Sequence, residues 1–159
     1  MITAFYAGLY SAIWGLGIIL GGVLGGKGAD RWGHRKSVWA AMGVSLVSIL
    51  LFVVVPDPRA AFVIALIFGF AFGFYETVYF AASMARTDPR IAASMFSILM
   101  AVANIGTGIG LALTGVMVDS LGYPVTFLIV AGFNLLALPL IPVVFKGKTR
   151  VVLGVGDAG

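Results

Sequence analysis

A chain of 159 residues that is 61% hydrophobic and only 10% charged is not an ordinary water-soluble domain, since those carry about a quarter charged residues. A net charge of +4 would point to nucleic acid in a soluble protein, but these cations sit in short stretches between apolar runs, the pattern that orients a chain in a membrane. The partner implied is membrane lipid rather than nucleic acid; with no cysteine and a single histidine, His34, the chain offers no thiol chemistry, metal centre, cofactor site or catalytic triad.

Five apolar segments, 2–26, 37–55, 60–85, 91–118 and 125–145, each come near or above the roughly 20 residues that span a bilayer core. They predict an all-α polytopic membrane bundle of five transmembrane helices forming one unit over 1–145. A short tail, 146–159, follows and is expected to be cytoplasmic and disordered. Strands are a poor alternative, because the runs are too long and lack two-residue alternation. The start of the chain has no basic n-region, and its apolar run outlasts the h-region of a signal peptide.

In the first span Tyr6 and Tyr10 suit an interfacial belt, and the deeper Trp14 either packs or lines a cavity. Gly17, Gly21 and Gly25 recur every fourth residue, which is helix-packing material. The span leads into Gly26-Lys27-Gly28-Ala29-Asp30-Arg31-Trp32-Gly33-His34-Arg35-Lys36, read as a tight charged loop between two helices. After the second span, Asp57-Pro58 pairs an N-cap acceptor with a proline at the first helical position, and Asp88-Pro89 repeats the device before the fourth.

The third span holds Glu76, the one acidic residue well inside a span, about 5 Å from its middle at 1.5 Å per residue. Gly69 and Gly73 lie seven and three residues before it, so it is placed on a small-residue packing face, with Tyr75, Thr77 and Tyr79 close by. A charge there is costly against lipid. It is therefore either a proton-coupling or substrate-contacting group, or a neutral acid hydrogen-bonded across a helix interface. Phe62, Phe68, Phe70, Phe72, Phe74 and Phe80 are read as lipid-facing residues or core filler.

In the fourth span Asn104 shares a stripe with Ser97, Ala101, Gly108 and Gly115, which fits helix packing first and substrate contact second. Gly106-Thr107-Gly108-Ile109-Gly110 lacks the Lys-Ser/Thr ending and preceding strand of a phosphate loop. Gly122-Tyr123-Pro124 opens the fifth span, Asn134 sits at its centre with the same two readings as Asn104, and Pro139 and Pro142 are expected to kink it.

If the spans alternate, Lys27, Arg31, Arg35, Lys36, Arg86, Arg90, Lys146, Lys148 and Arg150 all fall on one side and only Arg59 on the other. Nine against one predicts an integral membrane protein of the plasma (inner) membrane, N-terminus outside and C-terminus cytoplasmic. An outside start and an odd number of spans lead us to expect at least one helix upstream of this chain.

Gly26, Ala29, Asp30, Arg31, Gly33 and Arg35 match as they stand the signature G-x-L-a-D-r-x-G-r-k-x, which resembles the major facilitator superfamily. Gly28 replaces the usual leucine, and His34 the first basic residue after the second glycine. The resemblance implies the last five helices of a twelve-helix transporter, with missing N-terminal helices or another half as partner. It also implies that the signature segment (Gly26, Asp30, Arg31, Gly33, Arg35) acts as a latch on the outward-facing state. The bare alternative is a basic loop that only sets topology. The stretches 76–80 and 90–96, with Asn104-Ile105-Gly106, are further similar to the muropeptide and acetyl-CoA permease branch. The implied activity is secondary active transport of a small solute by alternating access, coupled to a proton or ion gradient. A non-transporting assembly or scaffold subunit derived from a transporter is the alternative, and no nucleophile-plus-base pair supports an enzyme.

Overall fold

The computed structural model describes residues 2–53 and 60–145, with side chains over 5–53 and 60–142. Every described element is helical: α1 (Ile2–Trp32), α2 (His34–Val53), α3 (Ala60–Met84), a 3-10 turn (Pro89–Ile91), α4 (Ala92–Leu121), α5 (Tyr123–Ala137) and α6 (Leu140–Phe145). Among the described residues, five segments are long and apolar enough to cross a membrane: Phe5–Trp32, His34–Val53, Ala60–Met84, Pro89–Leu121 and Tyr123–Pro142. The Asp57-Pro58 cap and the tail 146–159 lie outside the described residues.

The segment 26–36, expected as a loop, is almost wholly helical. α1 runs on to Trp32, α2 begins at His34, and only Gly33 leaves the helix, at φ 79°. Gly26 and Gly28 read as breakers in the sequence, yet both stay helical, Gly28 buried and Gly26 half-buried. A Cβ at Gly28 would stand 3.3 Å from the Trp32 ring, and one at Gly26 3.8 Å from the Thr77 methyl. Replacing Gly33 by alanine puts a Cβ into the left-handed region, at a cost of about 1–2 kcal/mol. A correspondingly lower unfolding midpoint in detergent titration is the expected result; an unchanged midpoint would show that the turn can relax.

Asp88 accepts a hydrogen bond from the Arg90 N–H at 2.9 Å, but it caps the 3-10 turn that leads into α4 rather than α4 itself. Gly122, at φ 78°, separates α4 from α5, with Pro124 in the first turn of α5. The break between α5 and α6 follows from the two prolines predicted to kink this span. Pro139 has no N–H for the Leu135 carbonyl, which accepts from Leu138 instead (3.2 Å); Pro142 has none for the Leu138 carbonyl, which accepts from Ile141 (3.2 Å).

α1 and α3 run parallel and in close contact, with their glycines interleaved. A Cβ at Gly17 would stand 2.8 Å from the Phe70 nitrogen, and one at Gly21 2.8 Å from that of Phe74. Gly69 in turn lies against the backbone of Trp14, and Gly73 against that of Ile18. Such contact gains dispersion energy where lipid supplies no hydrophobic drive. α2 packs antiparallel on α5, with Phe52 stacked on Phe127 at 4.9 Å, and also meets α3. Ala41, Phe74 and Val78 form the buried cluster between α2 and α3.

α4 contributes no buried residue. Its hydroxyls bond back to their own helix, Ser97 to the Ala93 carbonyl (3.2 Å), Thr107 to Ala103 (2.9 Å) and Ser120 to Val116 (2.8 Å). Within lipid that is how a polar side chain is satisfied without water.

Candidate transport site

Among the described residues, cavities open on two sides of α3. Toward α4 lies a groove of about 350 Å³, with Glu76 among Phe72, Tyr75, Tyr79 and Phe80. Its facing wall is Ala103, Gly106 and Thr107 of α4. Toward α2 lies a second cavity, of about 470 Å³, walled by Val38, Ala41 and Met42 and closed below by Ala137, Leu140 and Ile141 around the proline break. Arg86 lines its far end. Tyr75 and Tyr79 line both spaces, their rings 6.3 Å apart and within 13° of parallel. The two phenols form a shared wall, with the Glu76 carboxylate on one side and the guanidinium of Arg86, just past the end of α3, on the other.

Glu76 is half-buried. The glycine face it was placed on packs against α1, but Glu76 itself stands at the edge of that face and lines the groove with α4. Thr77 is the residue that meets α1, its hydroxyl 3.2 Å from where a Cβ on Gly22 would lie. Trp14 stays beside the groove without lining it: its ring is 5.9 Å from that of Phe72. Tyr10, expected in an interfacial belt, stacks on Phe62 at 4.3 Å and joins the outer ends of α1 and α3.

Asn134 donates from Nδ2 to the Ser45 hydroxyl at 3.3 Å, which ties α5 to α2, and its Oδ1 is buried without a partner among the described residues. It does not reach the groove. Asn104 is exposed and lines neither cavity. The packing expected along its stripe is not made within the described residues, because a Cβ at Gly108 or Gly115 would meet nothing within 4 Å. α4 meets α3 across the groove around Ala103 to Thr107 and through Phe96, whose ring is 5.3 Å from that of Phe80.

In the signature segment Asp30, Arg31 and Arg35 are exposed, while Ala29 and Ser37 are buried. His34 Nδ1 and Ser37 Oγ are buried without a partner among the described residues. Phe72 and Phe80, read from the sequence as lipid-facing or filler, are walls of the groove. Their signal was present: they lie four residues before and after Glu76, on the same helical face.

No curated protein and no solved structure matches the chain. A family model does, that of the Major Facilitator Superfamily, over residues 1–155, without pointing to a branch within it. The match runs through all five membrane-crossing helices and both cavities. The chain therefore belongs to the major facilitator superfamily of transporters.

Proposed function

We propose that this chain forms one wall of a secondary active transporter that moves a small solute by alternating access, coupled to a proton or ion gradient. Glu76 carries the reading. It is an acidic side chain within a membrane-crossing helix, half-buried, and turned to a groove rather than into a packed interface. Ionisable groups so placed mark solute or proton paths. The wide faces left open on α4, including Asn104, Gly108 and Gly115, are proposed to meet further transporter helices, which would close the groove. The exposed Asp30, Arg31 and Arg35 would pair across that same junction, giving the signature segment its latch role. The bias of cations supports a cytoplasmic position for this end of the bundle.

The test is solute-dependent proton movement in liposomes holding the protein with its partner helices, under an imposed pH gradient. Wild-type protein is expected to couple solute and proton flux. Glu76→Gln keeps the size and loses the titratable proton, and coupled flux is expected to fall at least about tenfold, in line with the loss of one proton-transfer group. Solute flux with unaltered pH dependence in Glu76→Gln would remove the coupling role.

A further inference from the structure

We infer that the groove between α3 and α4 takes an organic monocation, a small amine or quaternary ammonium with apolar substituents. The inference rests on the reading of this groove as the solute-contacting site and adds the chemical class of the solute. Its basis is the composition of the wall: one carboxylate, Glu76, with the rings of Phe72, Tyr75, Tyr79 and Phe80, and no lysine, arginine or histidine.

The competing solute classes fit this wall less well. An anion would meet both the Glu76 carboxylate and the negative faces of the rings. A sugar-like polyol needs many hydrogen-bonding groups, and the groove has few. Beyond Glu76 and the two phenols the one side-chain hydroxyl is that of Thr107, whose proton already goes to the Ala103 carbonyl at 2.9 Å. A neutral apolar solute would strip water from Glu76 and return nothing. A metal cation asks for several oxygen ligands, and among the described residues no cluster of three carboxylate, imidazole or thiol groups exists.

An organic cation satisfies the whole wall at once. Its charge sits against the carboxylate, and its substituents sit on ring faces that attract cations. The rings point in more than one direction, as such a box requires: Tyr75 and Tyr79 are nearly parallel, whereas Phe80 is turned 67° to Tyr79 at 5.3 Å. A volume of about 350 Å³ suits a molecule of drug-fragment size rather than a peptide.

Tritiated benzyltrimethylammonium, bound to the full chain in nanodiscs and competed with unlabelled compound, tests this directly. Benzylsulfonate, of like shape and opposite charge, serves as the comparison. Saturable binding of the cation, not displaced by the sulfonate, is expected. Glu76→Gln should weaken it at least about tenfold, and Phe80→Leu by between about twofold and thirtyfold, the range for losing one cation–ring contact. Glu76→Asp, which keeps the charge, should hold binding within about threefold, and Arg86→Gln in the other cavity should leave it unchanged. Absent cation binding by wild-type protein, or equal binding by Glu76→Gln, overturns the inference. Glu76-dependent proton coupling to a non-cationic solute, without cation binding, would leave the transport reading standing and sink this one. Cation binding without any solute-coupled proton movement would do the reverse.

Discussion

Gly21→Leu is expected to separate α1 from α3 and to abolish recovery of folded protein. A Cβ there would lie 2.8 Å from both the Phe70 carbonyl carbon and the Phe74 nitrogen, with the Phe70 carbonyl oxygen nearer still. These are backbone atoms of a helix, which cannot swing aside as a side-chain tip can. Overpacking of a core commonly costs about 1–3 kcal/mol. Here the helices must move apart along their length, and the Gly69–Trp14 and Gly73–Ile18 contacts go with them, so the cost exceeds that range. Gly73→Leu, from the facing helix, should behave alike. Gly15→Leu and Gly8→Leu meet open space and should change stability by no more than about 0.5 kcal/mol. Monodisperse yield and thermal midpoint in mild detergent give the comparison. Equal midpoints for Gly21→Leu and Gly15→Leu would show that the glycine seam does not hold the pair.

The contrast between these glycines marks what the sequence could and could not disclose. A four-residue spacing at 17, 21 and 25 announces a close helix contact, and hydropathy announces five spans, because both are properties of one helix at a time. Which glycines have a neighbour is a property of pairs. Gly108 and Gly115 carry the same composition on α4, and a Cβ on either would meet nothing within 4 Å among the described residues. The segment 26–36 misled for a related reason. Gly26 and Gly28 look like breakers until Thr77, Trp32 and Phe74 are seen to fill the space beside them, and only Gly33 uses the conformational freedom of glycine.

The site shows the same division. Glu76 stands out in the sequence because an acid among apolar residues is costly against lipid and must face a cavity or a partner. The aromatic wall does not stand out, since Phe72 and Phe80 are ordinary residues for a membrane helix, and only the position of α4 turns them into a lining. The cavity at the proline break was invisible for a stronger reason. Its walls come from α2, α3, α5 and α6, and the prolines announce a kink without saying what the kink opens onto.

Orientation is open to a decisive measurement because the chain contains no cysteine, so a single introduced thiol reports without background. Ala85 and Ser120 are both exposed and lie at opposite ends of the bundle, Ala85 just past α3 and Ser120 in the last turn of α4. On the nine-against-one cation bias read from the sequence, Ser120→Cys is expected to react with an impermeant maleimide in intact cells. Ala85→Cys is expected to react only after the membrane is opened. Replacing Lys27, Arg31, Arg35 and Lys36 by glutamine lowers the bias from nine against one to five against one (9 − 4 = 5) and strips the α1–α2 junction of its cations. A mixed population should result, with a substantial share of Ala85→Cys molecules labelled from outside. Because helix packing is the same whichever way the bundle inserts, the inverted fraction should keep the wild-type thermal midpoint. Ready labelling of Ala85→Cys in intact cells without those replacements would reverse the assignment of sides, and would put the signature segment and the Arg86 cavity on the outer surface.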